Sequence, residues 1–428
     1  MKILFLTDNF PPERNAPASR TYEHTVRWAG RGEDVTVVTG VPNFPEGKIH
    51  PGYRNRLYQT EQRDGVRVVR VWTYVTANEG FLKRTLDYAS FLASGAAGAL
   101  AQTRPDVVVA TSPQFFTAVA GCLVAAAWRV PFVFEVRDLW PDSIRAVGAL
   151  RESRALRALE RLELFLYRRA ARIVVVTEAY RDNLLARGVP AAKIEVVPNG
   201  VDLGRFGPQP KDRAVLDRHA LNGDFIVSYI GTHGLAHRLE TVLDAAKGMR
   251  EEPVTFLLIG SGARKRELVE HATRERLRNV RFVDSRPREE MPSYWSISDA
   301  TIVPLRRDPL FRTTVPSKMF EAMGMGIPIL LGVEGEARRL VEEADAGIAF
   351  PPEDSEQLMS AIRRLMADGP LRERLRANAL AASRRYSRDT TADTMLRGLQ
   401  RIARVPVMAE VAAPSGSPVP SGDRGMVL

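Results

Sequence analysis

The sequence predicts an α/β protein made of two doubly wound parallel sheets in series, with a crevice between the two domains. Short β-branched runs bounded by turn residues alternate with helical stretches, which is the pattern of βαβ units. Several runs are apolar throughout, as expected of strands covered on both faces. The alternation pauses at residues 199–210, which are rich in Gly and Pro, and then restarts. A chain of 428 residues is also too long for one ordinary core.

The first half of the chain contains a series of predicted strands separated by helical segments. They are Lys2–Thr7, Val35–Thr39, Val66–Trp72, Asp106–Ala110, Phe132–Val136, Arg172–Thr177 and Ile194–Val197. Residues 1–200 are therefore predicted to form an N-terminal Rossmann-like domain.

The second half repeats this organisation. Its predicted strands are Phe225–Gly231, Val254–Gly260, Val280–Val283, Ala300–Leu305, Ile327–Leu331 and Gly347–Phe350. Three helices are predicted after them, near Ser355–Ala367, Leu371–Tyr386 and Thr390–Ala403. We predict a second Rossmann-like domain over 201–386, a helix within 387–405 that returns to the first domain, and a disordered tail over 406–428.

Composition restricts the class of protein. With 45% hydrophobic and 26% charged residues, the chain is typical of soluble globular proteins, and its single cysteine, Cys122, cannot form an internal disulfide. The net charge of +10 suits an anionic membrane surface or a phosphorylated substrate, because no nucleic-acid-binding module is evident. The apolar start is too short for a signal peptide, and the run Phe115–Trp128 is too short to span a bilayer. A cytoplasmic protein, peripheral at the inner face of the membrane, is expected.

The stretch Thr313–Leu330 predicts a short helix with an anion-binding N-terminus. Thr314 is the predicted N-cap, and Pro316 lies where the first turn tolerates a missing N–H. Lys318 and Glu321 are three residues apart and share a face just inside that end, so a cation for phosphate oxygens lies beside a carboxylate for paired hydroxyls. This combination suits a ribose diphosphate. Alternatively, the two side chains form a solvated ion pair on a buried helix.

Loops that follow strands are the expected ligand-binding positions in doubly wound sheets. The first of them, 8–20, lacks the G-x-G-x-x-G pattern, which argues against a nicotinamide or flavin enzyme. Ser19 and Arg20 open the next helix and are predicted either to face an anionic group or to belong to an ordinary capped helix with a solvated arginine.

The strand Phe132–Val136 is followed by a polar and aromatic segment. Asp138 is predicted to orient a sugar hydroxyl or accept a proton, and Trp140 to stack on a sugar face. Alternatively, Arg137 and Asp138 form a structural ion pair under a packed tryptophan.

Glycine-rich loops follow the first strands of the second half. Gly231–Gly234 permits close backbone approach to a phosphate, and the nearby His233, His237 and Arg238 are predicted to supply positive charge. Gly260–Gly262 and 284–286 follow the next two strands, so the three loops would form one wall of a crevice. Metal-binding motifs are absent from the sequence, so no metal is expected, and cationic side chains would stabilise a leaving diphosphate.

Several of these segments together resemble glycosyltransferase family 4, which has the two-domain GT-B fold. They are PNGVD at 198–202, the Gly loop at 229–234, IGSG at 259–262 and PSKMFEAMGMGIPIL at 316–330. The RDLWP stretch at 137–141 and the segment 41–53 resemble the branch that builds bacterial O-antigen and capsule saccharides, including N-acetyl-L-fucosamine transferases.

The resemblance implies a retaining transfer from a UDP-sugar without a metal, with the donor bound by the second domain. It implies that Glu321 binds the ribose, that Asp138 contacts the donor sugar, and that the remaining donor contacts come from the loops. Those contacts are Gly231, Thr232, His233, Arg238, Ser285, Arg286, Thr313, Thr314 and Ser317. We predict Asp138 and Lys318 to be the catalytic residues. The family carries a Glu where this chain has Thr313, and an Arg where it has Thr232, so Lys318 and Arg312 are candidates for the missing positive charge.

The predicted function is transfer of an N-acetylated sugar, with a 6-deoxy sugar as one option, from a UDP donor to a lipid-linked saccharide acceptor. Ser19, Arg20, Arg137 and Trp140 are the predicted acceptor-side residues, and the helix candidate Phe81–Ala99 is predicted either to rest on anionic lipid or to pack on its own sheet. A UDP-sugar 2-epimerase and a non-catalytic sugar-nucleotide-binding protein are the alternative hypotheses.

Overall fold

The computed structural model describes residues 1–13, 15–44, 47–76, 81–139, 154–221 and 223–403. These residues form two parallel sheets with helices packed on both faces, followed by three C-terminal helices. Trp140 and the predicted tail lie outside the described residues.

The first sheet lies within the N-terminal half. Its strands are β1 (Lys2–Leu6), β2 (Asp34–Gly40), β3 (Tyr58–Arg63), β4 (Val66–Val71), β5 (Val107–Thr111), β6 (Phe132–Val136), β7 (Arg172–Val175) and β8 (Ile194–Val196). Their order in the sheet is β3-β4-β2-β1-β5-β6-β7-β8. Strands β3 and β4 pair antiparallel, and the other described pairs are parallel. The chain order reverses between β1 and β5, which makes their carboxyl ends the topological switch point of this sheet.

Helices cover both faces of the first sheet because its strands are apolar on both sides. They are α1 (Ala16–Gly30), α2 (Phe81–Leu100), α3 (Phe115–Trp128), α4 (Arg154–Arg169) and α5 (Glu178–Ala186). Along β1, Leu4 and Leu6 enter the core that includes Phe91 of α2, whereas Ile3 and Phe5 enter the core that includes Trp28 of α1. This alternation follows from the two-residue period of a strand.

The second sheet is parallel throughout its described pairings. Its strands are β9 (Phe225–Ile230), β10 (Val254–Ile259), β11 (Val280–Val283), β12 (Ala300–Pro304), β13 (Ile329–Gly332) and β14 (Gly347–Ala349), ordered β11-β10-β9-β12-β13-β14. The helices between them are α6 (Arg213–His219), α7 (Glu240–Gly248), α8 (Lys265–Arg274), α9 (Met291–Ser296), α10 (Lys318–Met325) and α11 (Glu336–Glu343). The switch point here lies between β9 and β12.

The C-terminal helices are α12 (Ser355–Ala367), α13 (Gly369–Ser383) and α14 (Arg388–Ile402). The last of them packs on the first domain, where the Trp28 indole N–H donates to the Ala392 carbonyl oxygen over 2.9 Å. The two segments that connect the domains run side by side at Gly200, where a Cβ atom would lie only 2.1 Å from the Tyr386 carbonyl oxygen. Glycine is therefore required at this crossing.

The predicted fold class is confirmed, and most strands lie within two residues of their predicted bounds. Strand β3 was missed because its sequence, YQTEQR, is polar and half exposed along its length, as suits an edge strand. Within the described ranges, no helix is both long and apolar enough to cross a membrane.

Candidate active site

The carboxyl ends of the two sheets face each other, and contacts between the domains join them. The Glu336 carboxylate, at the start of α11, accepts backbone N–H bonds from Glu178 and Ala179 over 2.9 and 2.7 Å, and so caps α5 of the first domain. Glu23 of α1 forms an ion pair with Arg288, which follows β11 in the second domain. Both switch points therefore open into one interdomain crevice.

The helix α10 begins at Lys318, later than predicted. Thr314 is not its N-cap; it ends the preceding 3₁₀ turn, Pro309–Thr313, by donating its backbone N–H to the Phe311 carbonyl oxygen. Ser317 occupies the N-cap position in a helical conformation, and its hydroxyl makes no capping hydrogen bond. The Ser317 hydroxyl therefore does not satisfy the first backbone N–H groups of this helix.

Lys318 has the most unusual environment in the crevice. None of the described residues accepts a hydrogen bond from its buried ammonium group, which lies 4.0 Å from the centroid of the Tyr229 ring. It also lies against Gly231, where an added Cβ would approach the Lys318 nitrogen to 2.5 Å. Burial lowers the pKa of Lys318 to about 7, although the nearby Glu321 carboxylate opposes the shift. The lysine is therefore poised to gain charge when an anion arrives.

The histidines of this loop are neutral, so they do not supply the positive charge that we predicted. Burial, with the nearby Lys265 and Lys318, lowers the pKa of His233 to about 4, and burial with Lys318 lowers that of His237 to about 3. The His233 ring is fully buried, 5.7 Å from the Tyr229 ring centroid. It supports the Tyr229 ring instead of contacting a phosphate through a cationic nitrogen.

Two predicted cations form ion pairs with surface carboxylates instead. Arg238 is half exposed and lies 3.6 Å from the Glu353 carboxylate on the surface, which corrects its predicted role at the phosphates. Arg312 is more exposed still and lies 3.6 Å from Glu334. Thr313, where the family carries a Glu, donates its hydroxyl to the Leu310 carbonyl oxygen over 2.9 Å and so completes the turn before α10.

The loops after β10 and β11 lie side by side, as predicted for one wall of the crevice. The hydroxyl groups of Ser261 and Ser285 are 2.9 Å apart. The guanidinium of Arg286 lies 5.8 Å from the centroid of the Tyr294 ring, and its buried Nε–H has no acceptor among the described residues. Thr232 is exposed at the rim, and its carbonyl oxygen accepts the Tyr229 hydroxyl over 2.6 Å.

Glu321 lies in the first turn of α10, near three charged residues that no sequence pattern connects with it. Burial raises the pKa of its carboxyl; Arg288 and Arg388 counteract this shift, and Glu23 adds to it. The three come from α1, from the loop after β11 and from the first residue of α14. Glu23 and Arg288 lie 265 residues apart along the chain and in different domains, so the tertiary fold is needed to bring these charges together.

On the opposite wall, Asp138 follows β6. The Ser112 hydroxyl oxygen accepts the backbone N–H groups of Arg137 and Asp138 over 2.7 and 3.2 Å, which fixes this turn. Burial raises the pKa of Asp138 to about 6, and Arg137 partly opposes the shift. Burial also lowers the pKa of Arg137 to about 10, and its buried Nη1 has no acceptor among the described residues. Tyr180 of α5 lies near Asp138 and Glu336. Burial raises the pKa of the Tyr180 hydroxyl, and the two carboxylates raise it further, whereas a hydrogen bond with Thr314 opposes the shift.

Arg20 requires a correction, because it is buried and its guanidinium donates to groups of the protein itself. It is fully buried, and its Nε donates to Glu135 over 2.9 Å while Nη2 and Nη1 donate to the carbonyl oxygens of Val197 and Pro198 over 2.8 and 2.7 Å. The N-cap of its helix is Asn15, and Ser19 lies in the first turn, half-buried. Arg20 is therefore a structural residue that ties α1 to the end of the first sheet.

Comparison with known proteins agrees with this architecture. Residues 15–200 match a family model described as glycosyl transferase 4-like domain, and residues 213–381 match one described as glycosyl transferases group 1. The putative colanic acid biosynthesis glycosyl transferase WcaI of Escherichia coli strain K12 is 26% identical over 384 residues, which cover 86% of this chain and 92% of the relative.

Solved structures share the fold. Sucrose-phosphate synthase from Thermosynechococcus elongatus has a TM-score of 0.76 at 18% identity, with 94% of this chain and 98% of that chain covered. Anabaena HepE, solved in complex with UDP-glucose, has a TM-score of 0.71 at 20% identity, with 94% and 100% covered.

Two facing parallel sheets with a polar crevice at their carboxyl ends define a two-domain protein of the GT-B class. The two family models together span most of the chain, which is therefore a glycosyltransferase built from a glycosyl transferase 4-like domain and a glycosyl transferases group 1 domain.

Proposed function

We propose that the chain is a retaining glycosyltransferase that transfers a sugar from a UDP donor to a lipid-linked saccharide acceptor in cell-surface polysaccharide synthesis. The observation that carries this proposal is the buried Lys318 ammonium, which has no acceptor among the described residues and lies at the start of α10 beside Glu321. A cation, a helix N-terminus and a carboxylate at one place match the diphosphate and ribose of a nucleotide.

The donor would occupy the second-domain wall. The uridine lies against Ser285 and Arg286, Glu321 accepts the ribose hydroxyls, and the diphosphate lies between the Gly231 turn and Ser317. Lys318 gains its proton and stabilises the charge that develops on the leaving diphosphate, so the reaction proceeds without a metal. The HepE complex with UDP-glucose, a protein with the same fold, supports the choice of uridine nucleotide.

Asp138 would act on the transferred sugar from the opposite wall. Its raised pKa of about 6 and its position beside Arg137 suit a group that orients a sugar hydroxyl or takes a proton near neutral pH. Arg137, whose buried Nη1 has no acceptor among the described residues, would contact the acceptor or the donor sugar.

Two observations support the proposed acceptor class: the name of the related protein WcaI and the exposed surface of helix α2 in the first domain. WcaI is named for colanic acid biosynthesis, which supports a saccharide acceptor. In our proposal the transferred sugar is N-acetylated, with a 6-deoxy sugar as one option. Helix α2 is observed over Phe81–Leu100, and Leu86 on it is 49% exposed. This helix, with the net positive charge of the chain, would hold the protein against an anionic membrane.

The deciding experiment combines donor screening with a matched pair of variants. A panel of UDP-sugars with lipid-linked acceptors, read by mass spectrometry, should yield an acceptor extended by one sugar, also in the presence of EDTA. Glu321→Ala should weaken UDP binding by about 10- to 100-fold, because a charge-assisted pair of hydrogen bonds is lost. The control Glu252→Ala removes a surface carboxylate that pairs with Arg363 and should leave UDP binding unchanged.

The alternatives give different products. Release of an epimerised UDP-sugar without acceptor would indicate the 2-epimerase, and UDP binding without transfer or hydrolysis would indicate a non-catalytic binding protein. Equal UDP affinity in Glu321→Ala and the parent would refute the ribose assignment.

A further inference from the structure

Exposed apolar side chains are concentrated at one edge of the first sheet. Twelve large apolar side chains are exposed among the described residues, and seven of them fall within residues 44–86, about a tenth of the chain. Single exposed leucines are ordinary, but a cluster of large apolar side chains marks an interaction surface. We call five of the seven the edge patch: Phe44, Ile49, Leu57, Trp72 and Tyr74.

The fold places the edge patch at the carboxyl ends of two neighbouring strands. Phe44 and Ile49 follow β2, and Trp72 and Tyr74 follow β4, which pairs with β2 in parallel. Leu57 precedes β3, which runs antiparallel to β4, so it lies at the same end. The Trp72 backbone N–H donates to the Leu57 carbonyl oxygen over 3.4 Å, which makes the two residues cross-strand neighbours.

Hydrogen bonds hold the segments of the edge patch together. The Asn55 side chain donates to the Thr73 carbonyl oxygen over 2.7 Å and accepts the Thr73 backbone N–H over 3.2 Å, which ties the start of β3 to the end of β4. The Tyr74 backbone N–H donates to the Ser90 hydroxyl of α2 over 2.8 Å. Leu57 is nevertheless 82% exposed and Trp72 38% exposed, so these side chains are presented to solvent from a fixed backbone.

The charge around the edge patch is positive. Residues 44–74 contain six basic and three acidic side chains, and Lys48, Arg54 and Arg56 are exposed. Two of the three acidic side chains have partners within the protein. Glu61 pairs with the buried Arg70, and Asp64 accepts the Tyr22 hydroxyl. The exposed arginines therefore lie beside the apolar side chains with little opposing charge.

This combination fits an anionic membrane surface. Tryptophan and tyrosine are enriched where a bilayer meets water, and each nearby Lys or Arg adds attraction to acidic headgroups. We propose that the edge patch, with Arg54 and Arg56, is the surface through which the protein docks on an anionic bilayer, with Leu57 and Trp72 entering the interface.

The position of this surface explains what docking would achieve. Both β2 and β4 end at the edge of the first sheet where the crevice opens. A lipid-linked acceptor could then reach the crevice while its lipid remains in the bilayer. The inference rests on the proposed function for this acceptor, whereas binding to lipid vesicles can be measured without any donor or acceptor.

The apolar contribution is tested by vesicle flotation of the full-length protein. Vesicles contain about three parts phosphatidylcholine to one part phosphatidylglycerol, and pure phosphatidylcholine vesicles are the comparison. The parent should bind the anionic vesicles more strongly. Leu57→Ser combined with Trp72→Ser should lower the partition coefficient by about tenfold or more. The matched control is Leu123→Ser with Phe165→Ser, which removes two other exposed apolar side chains of the same domain and should leave binding unchanged.

The charge contribution is tested by a second pair of variants. Arg54→Gln with Arg56→Gln should weaken binding to the anionic vesicles by about 10- to 30-fold and leave binding to phosphatidylcholine unchanged. Arg276→Gln with Arg278→Gln is the control, because these exposed arginines have the same spacing but lie in the second domain, before β11. It should bind as the parent does. Circular dichroism and thermal melts check that every variant is folded.

Tryptophan fluorescence tests whether Trp72 itself enters the interface. Anionic vesicles should shift the emission of the parent to shorter wavelength, because the indole leaves water. Trp72→Phe should lose most of this shift and keep most of the binding, since phenylalanine retains much of the apolar area. An equal shift in the parent and in Trp72→Phe would contradict the insertion of Trp72.

The remaining outcomes separate docking from catalysis. A parent that transfers sugar to an acceptor in detergent but does not float with anionic vesicles overturns the docking surface alone. A parent that floats through the edge patch but transfers no sugar supports the docking surface and contradicts the proposed function. If Leu57→Ser with Trp72→Ser floats as the parent does but no longer self-associates in sedimentation, the patch is a protein interface and the inference is overturned.

Discussion

Lys318 and Tyr229 form a cation–π contact, with the ammonium nitrogen 4.0 Å from the centroid of the phenol ring. The Tyr229 hydroxyl is not available to the lysine, because it donates to the Thr232 carbonyl oxygen. His233 and His237, which pack around the same ring, are neutral at physiological pH. The ring is a weak partner for a buried cation, so the Lys318 side chain of the free protein is charged only part of the time.

UDP affinity should therefore depend on pH through Lys318. Burial lowers the pKa of Lys318 to about 7 in the free protein, and a bound diphosphate raises it, so binding takes up a proton above pH 7. Affinity should be highest near pH 7 and should fall towards pH 9, by at most about tenfold per pH unit. Calorimetry in buffers of different ionisation enthalpy measures both the affinity and the proton uptake.

Lys318→Arg is the informative variant for this dependence, because guanidinium stays charged throughout the range. It should flatten the profile between pH 7 and 9 and abolish the proton uptake. The same slope in the parent and in Lys318→Arg would assign the pH dependence to another group.

Gly231→Ala should weaken UDP binding by changing the backbone turn that lies against Lys318. The residue has a φ of +145°, which L-residues other than glycine rarely adopt, and an added Cβ would lie 2.5 Å from the Lys318 nitrogen. We expect UDP affinity to fall by about tenfold or more, since the lysine must move and the turn is strained. Gly234→Ala is the control, because its φ is −116° and its Cβ would make ordinary contacts at 3.5 Å or longer. Equal affinities in the two variants would contradict the close approach of Lys318 to this turn.

Asp138→Asn should separate turnover from donor binding. If Asp138 acts on the transferred sugar, kcat should fall by about 10²- to 10⁴-fold while UDP affinity changes little. Steady-state kinetics and titration of UDP measure the two effects. Equal losses in both would indicate a binding or structural role.

The same variant should be more stable than the parent at pH 7.5. Burial raises the pKa of Asp138 to about 6, above its unfolded value, so the folded protein loses stability as pH rises from about 4 to 6. Removing the charge should therefore stabilise the fold at pH 7.5 by on the order of 1–2 kcal/mol, measured by urea unfolding, and the gain should vanish near pH 4.

The fold was predictable because its signals are local and repeated. Apolar strands such as β5 and β10 are buried along their whole length, and each is followed by a helix. Strand β3 carries no such signal, because an edge strand need not be apolar. The start of α10 differs from the prediction. Thr314 is a good N-cap by residue type, but in the structure it ends the preceding 3₁₀ turn.

The site was predictable only in part, since its charges depend on burial and on distant contacts. Lys318 and Glu321 lie three residues apart in one helix turn, so their proximity could be derived from the sequence spacing. The neutrality of His233 results from burial that residue type does not reveal. Glu23 and Arg288 lie in different domains, and no sequence pattern connects them.

Arg20 gives the sharpest contrast between a sequence-based expectation and the structure. If Arg20 bound an anionic ligand, its replacement would lower the affinity for that ligand and leave the fold intact. Arg20 instead neutralises the buried Glu135, which is 1% exposed, and donates to two backbone carbonyl groups. Its replacement leaves an unpaired buried carboxylate.

Arg20→Met should therefore lower the free energy of unfolding by about 3–5 kcal/mol, measured by urea titration. UDP affinity, measured at a temperature where the variant is still folded, should be unchanged. Arg20→Met combined with Glu135→Leu should recover part of the loss, because both buried charges are then absent. Arg363→Met, which removes the exposed pair with Glu252, should cost less than about 1 kcal/mol. If the Arg20→Met protein were as stable as the parent but bound UDP more weakly, Arg20 would instead be a ligand-binding residue.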